Sequence, residues 1–278
     1  ELAIKRIIDL IKTISYKAKL TLDDISGYGI ALAGVSDLNQ REGLLKELDA
    51  LNISSKSIVL SDTEAAYKLL CPSGNGVLLS VGTGVVVMGK KDKKIIKVAG
   101  KGHDQGDLGS GYWMGKQVIK NLLINANIVE VDNDLLELFN IVKQKFNIND
   151  IGSINEFLEE NNNAISDVAS ISTELISLAK GNNDIALSIV QEATTYIADY
   201  IIHIFNSLEY DKSSVIVACN GSIIKNNFYR RLLSDALQFD FQEVHWVFSD
   251  LSAAYGAGLI VSEVNNIEVL LTDVIEGI

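Results

Sequence analysis

Helical and strand-like hydrophobic patterns alternate along the first quarter of the chain. Isoleucine and leucine recur at helical spacing over residues 4–14, which predicts an amphipathic opening helix. The apolar runs Tyr28–Gly34 and Ile58–Leu60 predict buried strands, and residues 39–51 have helical spacing again. A further helix is predicted over Thr63–Leu70. Strands that alternate with helices in this way predict a parallel α/β layer.

The pattern then changes to short strands. Cys71–Gly76 contains the only proline of the sequence and two glycines, so it is the best linker candidate. Three β-rich runs follow, separated by Gly-Thr-Gly and by a lysine-rich turn, and they predict antiparallel strands over Val77–Val81, Val85–Gly89 and Ile95–Ala99.

The second half is mostly helical. Helical spacing extends from Gly111 to about Tyr210, with polar breaks at 147–153, 159–163 and 181–184. Three more elements are then predicted: a strand at Val215–Ala218, a helix at Asn227–Leu237 and a closely packed small-residue helix around Ser252–Leu259.

Composition limits the classes of function. With 278 residues, 47% of them hydrophobic and 22% charged, the chain is long enough for two globular domains or one large one. Its net charge of −12 and pI near 4.7 argue against a nucleic-acid partner, which needs a basic face. No apolar run approaches the length of a membrane helix, which argues against a membrane partner. The two cysteines, Cys71 and Cys219, have no metal-ligand spacing and fit a reducing cytoplasm.

Asp62 is the first candidate for chemistry. It follows a predicted parallel strand, and open α/β sheets bind ligands at the carboxyl ends of their strands. A carboxylate there could accept the proton of a substrate hydroxyl. Aspartate is also a preferred helix N-cap, and from the residue pattern alone the cap for Thr63–Leu70 is the simpler interpretation.

Two glycine-rich segments are the next candidates. Gly82-Thr83-Gly84 could bring backbone N–H groups close to phosphate oxygens, although such a turn can equally be a plain hairpin connection. The second segment, Gly100–Trp113, carries polar groups into the start of a helix. Within it Asp107 could bind a ligand or cap the helix, and both interpretations stay open.

The chain resembles the N-acetylglucosamine kinases and BadF/BadG-type ATPases of the actin-like sugar kinase superfamily. The resemblance covers nearly the whole chain and rests on these motifs: Ala33-Gly34, Asp62 before a helix, Gly82-Thr83-Gly84, Gly106-Asp107-Leu108-Gly109-Ser110-Gly111-Tyr112-Trp113, Ala179-Lys180-Gly181, and Gly221 followed by Asn226. It implies an α/β fold of two ribonuclease-H-like domains around a cleft. The smaller domain would comprise residues 1–75 and 256–278, and the larger one residues 76–255.

The resemblance also implies roles for individual residues. Asp62 would be the general base, and its family role is favoured over the cap. ATP, with Mg²⁺, would be held at the phosphate and adenosine motifs by Gly82, Thr83, Gly84, Gly181, Gly221 and Ser222. The sugar would contact Asp62, Thr83, Lys101, Gly102 and Asp107. Gly181 could equally be a helix C-cap, and Asn220, which replaces a family glycine, is acceptable because asparagine also adopts left-handed conformations.

The sequence departs from its relatives in three places. Lys101 replaces an aromatic residue and Leu108 replaces a glutamate. Together with His103, Asp104 and Gln105, Lys101 could favour a more polar or anionic sugar such as a muramic acid derivative. Relatives also begin with an Asp-Gly-Gly-Gly-Thr-like phosphate loop that is missing here, and we expect the natural protein to carry it upstream.

These observations favour an ATP-dependent kinase that phosphorylates a primary hydroxyl of an amino sugar, either N-acetylglucosamine or a related sugar such as N-acetylmuramic acid. The first alternative is a sensor that binds sugar and nucleotide without turnover. The second is a BadF-type activator ATPase, which is disfavoured because Cys71 and Cys219 lie in the wrong contexts for a bridging iron–sulfur cluster. None of the three histidines is assigned to catalysis. A homodimer is compatible with the pattern, and we expect a cytoplasmic protein.

Overall fold

The chain divides into two compact units. The computed structural model describes residues 2–32, 35, 38–71, 74–100, 102, 107–213 and 215–269. The first unit combines Glu1–Pro72 with Ser249–Ile278, and the second comprises Ser73–Phe248.

Within the described ranges, helices and strands follow one another in an order that matches most of the predicted elements. The helices are α1 (Leu2–Lys17), α2 (Leu38–Ala50), α3 (Asp62–Leu70), α4 (Gly111–Ile124), α5 (Asn133–Phe146), α6 (Ser153–Glu160), α7 (Ala164–Lys180), α8 (Asp184–Ser207), α9 (Asn227–Leu237) and α10 (Ala253–Val264). The strands are β1 (Tyr28–Leu32), β2 (Ser57–Ser61), β3 (Gly76–Val81), β4 (Val85–Lys91), β5 (Lys94–Ala99), β6 (Val215–Asn220) and β7 (Val244–Phe248).

The first unit is built on the parallel pair β1–β2, as the alternating pattern predicted. The register runs from Tyr28 opposite Ser57 to Leu32 opposite Ser61. Buried apolar side chains from these strands, from α2 and from the segment between α2 and β2 form a core, and apolar residues of α1 pack against it. The core residues are Tyr28, Ile30, Leu44, Leu48, Ile53 and Val59. Burial of this stripe explains why the isoleucine-rich opening segment is helical.

Helix α10 completes the first unit by approaching its neighbours backbone to backbone. A Cβ atom on Gly256 would lie 1.9 Å from the Ala65 carbonyl oxygen of α3. One on Gly29 of β1 would lie 2.4 Å from the Ala257 carbonyl oxygen. Only glycine fits at these crossings, so the prediction of a closely packed small-residue helix is confirmed.

The second unit contains a mixed five-stranded sheet with the order β5-β4-β3-β6-β7. β3, β4 and β5 are antiparallel, as predicted, whereas β6 pairs parallel with both β3 and β7. In the β3–β6 register Ser80 lies opposite Asn220. The carboxyl ends of these two strands therefore lie side by side, and the segments that follow them become neighbours.

Helices α4 to α9 enclose the main core with this sheet. One break in the predicted helical region was missed: α4 ends at Ile124 and α5 begins only at Asn133. Asp132 caps α5 by accepting from the Leu135 N–H at 3.0 Å, and helix caps of this kind override apolar periodicity locally. None of the helices in the described ranges has the length and apolar character needed to cross a membrane.

Candidate functional site

Asp62 lies at the first position of α3, and the cap interpretation is wrong. The N-cap is Ser61, whose hydroxyl accepts from the Glu64 N–H at 3.1 Å, while the Glu64 carboxylate accepts from the Ser61 N–H at 2.8 Å. This reciprocal pair is a capping box. The Asp62 carboxylate is exposed and accepts from the Thr63 N–H at 2.8 Å. Because another residue caps the helix, Asp62 remains available for a ligand.

The Gly82–Gly84 segment, hereafter the glycine turn, connects β3 to β4. Its Gly82 N–H donates to the Gly84 carbonyl at 2.9 Å, which closes the turn. Thr83 and Gly84 are exposed, and within the described ranges no hydrogen bond uses their N–H groups or the Thr83 hydroxyl. Two peptide N–H groups and a hydroxyl on exposed residues are therefore open to a ligand, and backbone N–H groups of this kind form anion-binding sites.

The glycine turn is bonded to the segment Asp107–Trp113, hereafter the signature loop. The Gly111 N–H donates to the Gly82 carbonyl at 2.8 Å, and the Tyr112 N–H donates to the Thr83 carbonyl at 3.0 Å. These two bonds attach the first turn of α4 directly to the glycine turn. The structure therefore brings together two segments that the sequence could only place in order.

Asp107 does not cap α4 either, because Ser110 does so by accepting from the Trp113 N–H at 3.2 Å. Only 8% of Asp107 is exposed, and its Oδ1 accepts from the Gly100 N–H at 3.0 Å. A Cβ on Gly84 would lie 2.8 Å from its other oxygen. The Asp107 carboxylate thus connects the end of β5 to the glycine turn and is held in a defined orientation.

Helix α8 packs behind the signature loop. Gly109, with φ of +82°, is so close that a Cβ there would lie 2.6 Å from the Ala193 carbonyl oxygen. Burial first, and then the negative charge of Asp107, raises the pKa of Tyr200, whereas a hydrogen bond with the Leu108 backbone lowers it. The loop is therefore held by backbone packing against α8 and by the hydrogen bond between Tyr200 and the Leu108 backbone.

Gly221 brings a third segment to the glycine turn. Its φ is +98°, and a Cβ there would lie 2.3 Å from the Val81 carbonyl oxygen, which also accepts from the Ile223 N–H at 3.2 Å. Asn220 ends β6 and has no positive φ, so the left-handed conformation is needed at Gly221 and not at Asn220. Ser222 follows and is exposed.

An open cavity of about 920 Å³ lies among the end of α7, the start of α8 and the start of α9. Apolar side chains that line it include Ile176, Leu187 and Phe228, and the cations Lys180 and Arg231 line it as well. None of the described residues that line it carries a carboxylate. Gly181 is the C-cap of α7, and its N–H donates to the Ser177 carbonyl. In the sequence it stands between Lys180 and Asn182, which both line the cavity. The sequence predicted α9 with the observed bounds but not that its first turns line a cavity, because no local pattern reports the packing of three helices.

Of the residues predicted in the loop before Asp107, the structure describes Gly102. Gly102 has a φ of +92° with no atom within 4 Å of a Cβ placed there. Lys101, His103, Asp104, Gln105 and Gly106 lie outside the described residues. Within the described ranges no three or more His, Cys, Asp or Glu side chains are grouped to hold a metal ion.

Comparison with solved structures defines the class of fold. A candidate N-acetylglucosamine kinase from Chromobacterium violaceum matches with a TM-score of 0.67 and 17% identity, with 92% of this chain and 83% of that chain covered. Hexokinase from Schistosoma mansoni complexed with glucose matches with a TM-score of 0.55 and 15% identity, covering 94% and 75%. The prediction of the actin-like ATPase fold is confirmed.

Comparison of sequences defines the family. Residues 1–261 match the BadF/BadG/BcrA/BcrD ATPase family, and the chain belongs to it. A relative from Clostridium acetobutylicum, an N-acetylmuramic acid/N-acetylglucosamine kinase, is 23% identical over 265 residues, which cover 92% of this chain and 84% of the relative.

Proposed function

We propose that this protein is a kinase that transfers a phosphoryl group from ATP to a primary hydroxyl of an amino sugar. The observation that carries the proposal is the hydrogen-bonded assembly of the glycine turn with the signature loop, at Gly82–Gly111 and Thr83–Tyr112. A loop that positions a sugar and a turn that presents phosphate donors are thereby joined. Membership of an ATPase family and similarity to an amino sugar kinase support the choice of substrates.

The cavity beside α9 is proposed to hold the nucleoside of ATP. Its volume of about 920 Å³ is ample for a nucleoside. The segment that follows β6 extends from the glycine turn, where the Ile223 N–H meets Val81, to Asn226 at the cavity wall. Gly221 and Ser222 are the first residues of this segment, so we assign them to the nucleotide, with Gly181 at the cavity margin.

The phosphates are assigned to the free donors of the glycine turn. Within the part of the chain that the structure describes, no atom outside the two neighbouring residues lies within 4 Å of a Cβ placed on Gly82, which leaves room for a phosphate to approach the backbone. Mg²⁺ would partly neutralise the phosphate charge, and it usually keeps several waters and uses the phosphates themselves as ligands. Mg²⁺ would therefore arrive with the nucleotide, held by its phosphates and by water.

Asp62 is proposed as the base. The sugar hydroxyl oxygen bonds to the γ-phosphorus, the bond from that phosphorus to the bridging oxygen breaks, and ADP leaves. The hydroxyl proton passes to the Asp62 carboxylate. Such a reaction needs mainly positioning and charge stabilisation from the protein.

Asp107, Gly102 and Lys101 are proposed to contact the sugar. Lys101 is the residue that would favour an anionic amino sugar, and Lys101→Trp should shift preference towards neutral sugars. An unchanged sugar profile in that variant would refute its role.

The test is ADP release from Mg-ATP by the full natural chain with N-acetylglucosamine, N-acetylmuramic acid, glucosamine and glucose. We expect turnover with at least one amino sugar, formation of a primary phosphate ester by ³¹P NMR, and a loss of about 10²- to 10⁴-fold in Asp62→Asn.

Two results would contradict the proposal. Calorimetric binding of a sugar without ADP release would identify a sensor. Turnover that is unchanged in Asp62→Asn would support a kinase but remove Asp62 as its base.

A further inference from the structure

The buried side chain of Tyr229 meets the signature loop from α9. Tyr229 is 0% exposed, and its hydroxyl donates to the Gly109 carbonyl over 3.4 Å. Burial raises the pKa of Tyr229, so the hydroxyl stays protonated and remains a donor over the working pH range. A buried hydroxyl is costly without a partner, which makes this contact an anchor for the loop.

The peptide that Tyr229 holds has little freedom. The α8 backbone restricts the Gly109 Cα, because a Cβ there would lie 2.6 Å from the Ala193 carbonyl oxygen. The Ser110 N–H donates to the Asp107 carbonyl at 3.1 Å, which closes the loop around Gly109. A rotation of the Gly109 peptide would therefore move Asp107 and the start of α4 together.

The same helix lines the nucleotide cavity with other residues. Phe228, Arg231 and Leu232 contribute to that cavity, and Tyr229 does not. Asn226 Oδ1 accepts from the Phe228 and Tyr229 N–H groups at 2.9 and 3.2 Å, so the helix start is fixed independently of the Tyr229 hydroxyl. Removing that hydroxyl leaves the cavity wall in place.

We infer that Tyr229 is a positioning residue that sets sugar affinity, by holding the Gly109 carbonyl and with it Asp107 in the binding geometry. The inference rests on the proposed function, because it takes Asp107 as a sugar ligand. It assigns no role to Tyr229 in nucleotide binding. A merely structural tyrosine would affect sugar and nucleotide alike through stability, whereas a positioning residue separates them.

The test compares Tyr229→Phe with the control variant Tyr210→Phe. The control removes the hydrogen bond from the Tyr210 hydroxyl to the Lys90 carbonyl, at 2.6 Å, which lies in the same unit but outside the site. We expect Tyr229→Phe to raise the sugar KM and the calorimetric sugar Kd by about three- to tenfold, the usual effect of one hydrogen bond. The affinity for a fluorescent ADP analogue and the melting temperature should change no more than in the control.

Equal sugar KM values in the two variants would overturn the inference, as would parallel losses of sugar and nucleotide affinity. If Tyr229→Phe does not fold, Tyr229→Met, which also lacks the hydroxyl and can fill the space with a flexible side chain, is compared in the same way; an unchanged sugar KM would again overturn the inference. Failure of the proposed function looks different, because the wild-type protein itself would then release no ADP. If it still bound sugar, the calorimetric Kd values of the two variants would test the inference; if it bound none, the inference would fall as well.

Discussion

Replacing Gly82 with alanine should separate ligand binding from stability. Glycines at crowded positions cannot accept a methyl group, but Gly82 is not crowded. Among the described residues, apart from its two chain neighbours, no atom lies within 4 Å of a Cβ built there, and its φ lies outside the left-handed range. The fold alone therefore gives no reason for a glycine at this position. A phosphate that approaches the turn would give one, because its oxygens must come within about 3 Å of backbone N–H groups.

The magnitudes follow from this geometry. For folding, Gly82→Ala should cost nothing and could add about 0.4–1 kcal/mol, since alanine restricts the unfolded chain at a site whose native backbone it can adopt. For binding, the methyl group occupies the approach to the Thr83 and Gly84 N–H groups, and we expect a loss of at least about tenfold in ATP affinity, or about 1.4 kcal/mol.

The assay pairs urea unfolding with titration of a fluorescent ATP analogue. Gly84→Ala is the matched comparison, because its Cβ would lie 2.8 Å from an Asp107 oxygen and should disturb the folded protein as well. Unchanged ATP affinity in a normally stable Gly82→Ala protein would refute the assignment of phosphates to the glycine turn.

Three further predictions concern stability and reactivity. Gly221→Ala should destabilise the protein by about 1–3 kcal/mol more than Gly102→Ala in urea unfolding, because both have positive φ but only Gly221 meets a backbone carbonyl, at 2.3 Å; equal losses would contradict this. Ser61→Ala should lose about 1 kcal/mol by removing the α3 cap, while Ser61→Thr keeps most of it, and a neutral alanine variant would argue against the capping box. Burial raises the pKa of Cys71 to about 11 and of Cys219 to about 12, so at pH 8 Ellman's reagent should label them only as the protein unfolds. Rapid labelling of the native protein would contradict the burial of the two thiols. The free energy of unfolding should also fall as the pH rises above the ordinary thiol pKa of 9.0, because the unfolded state loses its thiol protons first.

The elements that the sequence predicted well are those with local signals. The antiparallel strands β3, β4 and β5 are β-rich runs separated by tight turns, and the β1–β2 pair is bounded by helical patterns. The parallel pairing of β3 with β6 was not predictable, because most of the second unit lies between these strands. No local pattern states which distant strand fills the next position in a sheet.

The same difference between local and long-range signals holds for the candidate site. The Ser-x-x-Glu pattern at Ser61–Glu64 is a capping-box signature, and it could have identified Ser61 as the cap from sequence. The contacts of Asp107 with Gly100 and the glycine turn needed the folded backbone. So did the cavity, whose walls come from three helices.

The first unit is built from two segments that lie far apart in the sequence, and this has a consequence for biosynthesis. Helix α10 packs on α3 and β1, yet the ribosome makes it only after the whole second unit. At about 5–20 residues per second, α3 waits roughly 10 to 40 s for that partner. During this interval the segment that carries Asp62 exposes apolar surface on the nascent chain. Products that terminate before Ala253 never cover it, and chaperones and proteases would recognise them.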